Sequence, residues 1–262
     1  MRGTAKAGSP VGVHPRMRSR RIAVRRDQGK RRLKHAAIAL GVVAALVAAA
    51  AATQTALLDV DRVRVDGVAH TSAADVRRVA RIGVGDAMIA VDADGVAARI
   101  EDLPWVAQAK VARRWPGTIE VHVTERQPLA TVGLREGRVA LVDGDGRVLE
   151  VTDGPSPSGL PEVTGVSGRV AAGDRLGSAP RDALSVLGAL GERVPGVVTA
   201  VSADLDAALA SGGEIRFGST ADLDDKIVAV KTILTQVDTA CLELLDVRVP
   251  GSPALTRHQR CS

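Results

Sequence analysis

Residues 36–58, AAIALGVVAALVAAAAATQTALL, run for twenty-three residues without a charge, and no other feature restricts the architecture so strongly. As a helix the run measures about 34 Å, enough to cross a hydrocarbon core of about 30 Å. Ile38, Leu40, Val42, Val43, Leu46, Val47, Leu57 and Leu58 each favour insertion by roughly 0.3–0.6 kcal/mol, whereas alanine adds little. No polar stripe interrupts the run, which argues against a buried amphipathic helix of a soluble protein. Ala50-Ala51-Ala52 resembles a signal-peptide cleavage site, but the preceding 35 residues and the length of the run exceed what such peptides use. The expectation is a retained, single transmembrane helix.

The net charge of +5 divides unevenly about this run. Residues 1–35 carry 12 Lys and Arg against one acid, Asp27, and the remaining residues carry 23 bases against 29 acids. Lys30, Arg31, Arg32 and Lys34 stand immediately before the apolar run, so the positive-inside bias keeps the N-terminus cytoplasmic and exports everything after Leu58. That topology already accounts for the basic arm, and no nucleic-acid partner is expected. Cys241 and Cys261 fall in the exported part, where a disulfide is permitted; the sequence leaves the bond open.

In the exported part the pattern changes to alternation. Arg62–Val65 reads as a short strand ending at Asp66-Gly67, and Ser72 with Asp75 caps a helix carrying Val76, Val79 and Ala80 on one side. Asp92 caps a second helix, with Val96, Ile100 and Leu103 on one face and Pro104 as its stop. Strands over 107–114 and 118–125 follow, the second with Ile119, Val121 and Val123 inward, joined by the turn Trp115-Pro116-Gly117. Two helices on one face of a three-stranded sheet are the simplest way to bury those apolar sides. The chain has only two Trp, one Phe and no Tyr, so Trp105 and Trp115 are expected to supply bulk to the core or to cap the hairpin.

After Pro128 a second region begins. Strands are expected over 138–142 and 147–151, around the turn Asp143-Gly144-Asp145-Gly146, whose spacing does not fit a calcium loop. A composition-defined loop, a helix over 180–190, strands over 197–205 and 214–217, a helix over 222–237 and a final strand over 244–249 complete the reading. The class is α+β. Across the chain there is no HExxH, CxxC, P-loop or GxSxG motif and no nucleophile with a placed base. No catalytic, cofactor or metal residues are assigned, and an enzyme is not expected. A membrane-anchored or secreted cell-envelope enzyme or sensor is the alternative, and it would need a clustered catalytic set.

LPWV at 103–106, RRWP at 113–116 and TERQPLA at 124–130 occur in succession within a run, 63–130, that closely resembles the POTRA domain of the FtsQ/DivIB family of bacterial division proteins. LVDGDGRVLE at 141–150, LPEVTG at 160–165, IRFG at 215–218 and LDVRVPG at 245–251 extend the resemblance over most of the chain. It implies a basic cytoplasmic tail over 1–35, the transmembrane helix over 36–58, a βααββ POTRA domain over 59–128, a mixed β-rich domain over 129–250 and a tail over 251–262. It further implies a single-pass, membrane-embedded protein concentrated at the division septum. The partners implied are FtsB/DivIC-type and FtsL-type bitopic proteins and the FtsW and class B penicillin-binding protein complex. In the family the last strand is an edge to which the FtsB-type partner adds a strand. On that basis Leu244, Leu245, Asp246, Val247, Arg248 and Val249 are the expected partner-binding residues, with Arg248 as a polar and Val249 as an apolar contact. The family often has an aromatic residue where Val249 stands, and the segment after it here has none.

Overall fold

The computed structural model describes residues 33–48, 58–154 and 159–261. Residues 33–48 form α1, exposed along its length. Among the described residues no helix is long and apolar enough to cross a membrane; residues 49–57 of the 36–58 run and most of the basic arm lie outside them.

The first domain comprises β1 (Arg62–Asp66), α2 (Ala73–Ala80), α3 (Ala93–Glu101), β2 (Val106–Arg114) and β3 (Thr118–Glu125). The sheet order is β1-β3-β2, with β1 parallel and β2 antiparallel to β3. Ser72 Oγ accepts from Asp75 N–H at 3.0 Å, so α2 is capped where the sequence places its cap. The aspartate is too short to reach back to the Ser72 backbone as a glutamate does in a capping box; it accepts from the serine hydroxyl and pairs with Arg78 instead. Asp92 caps α3 through Gly95 N–H. Ile119, Val121 and Val123 are buried against Val76, Ala80, Val96 and Ile100, the one apolar layer this small unit can build.

The second domain contains β4 (Pro128–Gly133), β5 (Arg138–Asp143), β6 (Val148–Asp153), β7 (Glu162–Thr164), α4 (Ser178–Arg193), β8 (Val198–Ser202), β9 (Asp206–Leu209), β10 (Glu214–Arg216), α5 (Leu223–Leu234), β11 (Leu242–Asp246) and β12 (Ala254–Arg257). They form one mixed nine-stranded sheet of order β12-β11-β10-β9-β8-β7-β4-β5-β6. The helices α4 and α5 make the crossovers β7-α4-β8 and β10-α5-β11, each joining parallel neighbours. Their inward residues Leu184, Leu187, Leu190, Ile227 and Val230 share a core with Val132, Val142, Val201, Ile215 and Leu245.

Several expectations for this domain need correction. β4, β7 and β9 were not anticipated, and the strand expected over 197–205 ends at Ser202, where β8 turns through Leu205, with φ of 65°, into β9. The expected final strand over 244–249 runs instead from Leu242 to Asp246, and 251–262 is not only a tail, because it contains β12. Beyond Asp246 the backbone leaves the strand, and Val247 is buried while Val249 is 64% exposed.

Candidate functional site

A nine-stranded open sheet has two edges, β6 and β12. At the start of β6 the edge is occupied: Val148 N–H donates to Asp174 O at 2.9 Å, and Gly173 N–H donates to Val148 O at 2.8 Å. Beyond β12 no further strand lies among the described residues. An edge of that kind offers a row of backbone donors and acceptors to an added strand.

β12 lies antiparallel to β11, with Asp246 opposite Ala254 and Leu245 opposite Leu255. His258 N–H donates inward to Cys241 O at 3.0 Å. Alternation along an antiparallel pair therefore turns positions 254 and 256 inward and leaves the amides of Leu255 and Arg257 on the outer edge. Leu255 packs partly on the core, whereas Arg257 is exposed. Cys241 and Cys261 are disulfide-bonded with their Cα atoms 5.6 Å apart, which ties the end of β12 to the turn before β11. Reduction of this bond is expected to raise exchange of the inward amides of Thr256 and His258 about tenfold or more while leaving β8 and β10 protected, as hydrogen exchange would show.

The six residues expected to bind a partner have different positions. Leu245 and Val247 are core residues, and Val247 N–H donates to Arg216 O at 3.0 Å, so this amide serves the sheet and not a partner. Leu244 and Asp246 face β12 across the ladder. Arg248 forks onto Asp246, with Nε and Nη2 at 2.9 and 2.6 Å from Oδ2. The Arg248 side-chain bonds, followed by its backbone N–H, hold the Asp246 carboxyl below the usual range. The arginine stem lies over Gly218, where a Cβ would come within 2.9 Å of its Cγ; only glycine allows that approach. Lys226, buried on α5, steadies the same turn by donating to Phe217 O and Ser219 O at 3.0 Å each. Beside this edge an apolar groove of about 420 Å³ runs between Val228, Ala229 and Ile233 of α5 and the Pro250–Pro253 loop.

Trp105 and Trp115 occupy opposite ends of β2 and do different things. The Trp105 ring stacks on His70 with centroids 4.0 Å apart and planes at 3°. His70 Nδ1 lies 3.0 Å from Glu125 Oε2, and the same carboxylate accepts from the N–H groups of Ala69, His70 and Thr71. The next residue, Arg126, reaches into the second domain: Nη1 donates to Asp143 Oδ2 at 2.7 Å while Nε donates to Val106 O at 3.0 Å. Asp143 Oδ1 accepts from the N–H groups of Asp145 and Arg147, so the acidic turn read as a plain hairpin is also the socket for Arg126. Glu125 and Arg126 were legible in the sequence only as part of TERQPLA. Trp115 is not a core residue: it is 54% exposed at the hairpin turn and is joined to Pro116 by a cis peptide.

A family profile described as POTRA domain, FtsQ-type, matches residues 58–126, and one described as Cell division protein FtsQ/DivIB, C-terminal, matches residues 130–248. The chain is 32% identical to the cell division protein FtsQ of Streptomyces collinus over 87% of this chain and 90% of that one. The chain belongs to the FtsQ/DivIB family. The FtsQ of Anaeromyxobacter sp. (strain K) is 30% identical over 80% of this chain and 76% of its own length, and that of Corynebacterium glutamicum 30% over 76% and 89%. With FtsQ/DivIB membership the three-stranded unit is identified as a POTRA domain and the nine-stranded one as the family's C-terminal domain, in a protein of bacterial cell division. Both matched segments end before β12 begins, so the strand that closes the sheet lies outside them.

Proposed function

We propose that this protein is a non-catalytic, bitopic scaffold of the division machinery that presents the free edge of β12 to a strand of an FtsB/DivIC-type partner. The observation that carries the reading is an asymmetry of the two sheet edges among the described residues: the start of β6 is bonded to the 173–174 backbone, whereas no strand lies beyond β12. Strand addition uses the outward amides of Leu255 and Arg257 for main-chain bonds, and the adjoining groove beside Val228 takes an apolar side chain of the same partner. Arg248 and Val249, exposed at the connection between β11 and β12 just before the Pro250–Pro253 loop, serve as the polar and apolar contacts. FtsL-type proteins are bound as well, and the assembly helps regulate septal peptidoglycan synthesis by the FtsW and class B penicillin-binding protein complex. The 36–58 run holds the chain in the cell membrane, N-terminus inside, at the septum. From Ala36 onward α1 is apolar all round and exposed, which supports that anchor.

Arg257→Pro tests the edge. It removes an outward donor and leaves the inward bonds of 254, 256 and 258 in place. Binding of the partner's extracytoplasmic segment to the full-length chain in detergent is expected to weaken about tenfold or more, with the folded far-ultraviolet spectrum retained, because one lost main-chain bond at a shape-fitted edge costs about 1–2 kcal/mol. Unchanged affinity in a folded variant would sink strand addition at β12.

A further inference from the structure

Among the described residues of the POTRA domain, three large apolar side chains are conspicuously bare: Val84, Ile89 and Trp115, at 78%, 64% and 54% exposure. They come from separate parts of the chain, yet the backbone gathers them at one end. Asp59 forms a bridge with Ala87, Val60 N–H donates to Asp86 O at 2.8 Å, and Gly85 N–H donates to Val60 O at 2.9 Å. On the other side Asp61 N–H donates to Gly117 O at 2.7 Å. Residues 59–61 are thus flanked by the 83–90 loop and by the 115–117 turn. These are the first residues after the apolar run, which ends at Leu58.

The geometry points to a lipid-facing tip: Trp115, with Val84 and Ile89 beside it, seats this end of the POTRA domain in the headgroup region of the bilayer. The inference rests on the membrane anchor proposed above. If Leu58 ends the span, residues 59–61 reach at most about 10 Å from it, which fixes the flanking loop and turn at the membrane surface. A tryptophan is suited to that position because its ring is apolar and its N–H needs a polar partner, which headgroups supply. Arg81 adjoins the 83–90 loop and is exposed, so it can meet anionic headgroups while its stem covers apolar surface; Arg113, next to the tryptophan turn, is held by Val91 O. Three acids share this end besides Glu120. Asp86 is occupied by Gly83 N–H at 2.7 Å, and Asp59 and Asp61 lie on the connecting segment itself. Arg114 is paired with Glu120 at 2.7 Å and brings no unpaired charge, so the apolar side chains and not net charge are the main attraction.

The two tryptophans supply the test. Trp105 precedes the nine-residue strand β2 and Trp115 follows it, so they stand about 30 Å apart along the strand. The full-length chain is reconstituted into vesicles of phosphatidylethanolamine and phosphatidylglycerol whose acyl chains are brominated near the headgroup. Trp105→Phe leaves Trp115 as the only emitter, and Trp115→Phe leaves Trp105. The inference expects Trp115 emission to fall about twofold or more relative to unbrominated vesicles, with Trp105 emission unchanged. Comparing wild type with Trp115→Phe gives the same answer by difference and does not depend on how Trp105→Phe folds. Unquenched Trp115, or equal quenching of both residues, in a chain that still floats with the vesicles overturns the lipid-facing tip and leaves the anchor standing. A chain that does not float with the vesicles overturns both.

Discussion

Arg126→Met is expected to lower stability by about 3–5 kcal/mol, the usual cost of removing one partner from a buried ion pair. The side chains of Arg126 and Asp143 are only 13% and 6% exposed, and one carboxylate oxygen of Asp143 bonds the guanidinium while the other holds its own turn through Asp145 and Arg147. Removal of the guanidinium leaves an anionic oxygen facing a dry junction and frees Val106 O of the Nε bond. The two domains have separate cores, so this pair is a principal polar tie between them, with Arg147 Nη2 to Asp102 O at 2.7 Å as a second. Guanidinium titrations followed by tryptophan emission would measure the loss, since both tryptophans report on the POTRA domain. The double variant Arg126→Met/Asp143→Asn, which also removes the stranded charge, is expected to recover about 1–2 kcal/mol of it. A single-variant loss below about 1 kcal/mol would mean the pair is not what joins the domains.

The POTRA domain was almost wholly legible because each of its elements carries its own signal. Asp92 and Ser72 are caps at the ends of apolar stripes, and Ile119, Val121 and Val123 alternate with polar residues over a strand long enough to be unambiguous. The second domain was legible where elements are long, as at α4 and α5, and not where they are short. β7 is three residues inside a stretch rich in Gly, Pro and Ser, and it exists because its neighbours β4 and β8 both pair with it. β12 is four residues between Pro253 and His258, without an alternating apolar pattern, and it is held by the β11 ladder and by a disulfide that sequence spacing could not assign. That omission displaced the candidate site by one strand. Leu242 and Leu245 mark β11 as buried on one face, but whether another strand lies beside it is a property of the ladder, which periodicity does not report. Trp115 shows a different limit: expected in the core or as a cap on the hairpin, it sits at the hairpin turn and is 54% exposed, which the turn signal alone did not convey.

Glu125→Gln is the other substitution with a large expected effect, and its signature is the dependence on pH. Burial, the largest single influence, pushes the Glu125 carboxyl up, but the N–H groups of His70, Thr71 and Ala69 and the His70 ring together outweigh it and lower it from 4.5 to about 2. A carboxyl that is more acidic folded than unfolded stabilises the fold above the unfolded value, and that contribution is lost as pH falls through the folded one. At pH 7 the displacement is worth at most about 3 kcal/mol, and it should fade between about pH 5 and pH 2. Glutamine keeps one acceptor oxygen but turns an amide toward backbone donors, so at neutral pH it forfeits most of this stabilisation and loosens the 69–71 loop. The Trp105 ring, stacked on His70, then loses its platform at the end of the domain nearest Arg126. The stability difference between wild type and Glu125→Gln, measured by denaturation at several pH values from 7 to 2.5, should therefore shrink as the solution is acidified. A difference that stayed constant over that range would show that the bonds to the loop do not depend on the charge of Glu125, and the carboxylate would be no more than a neutral acceptor in this turn.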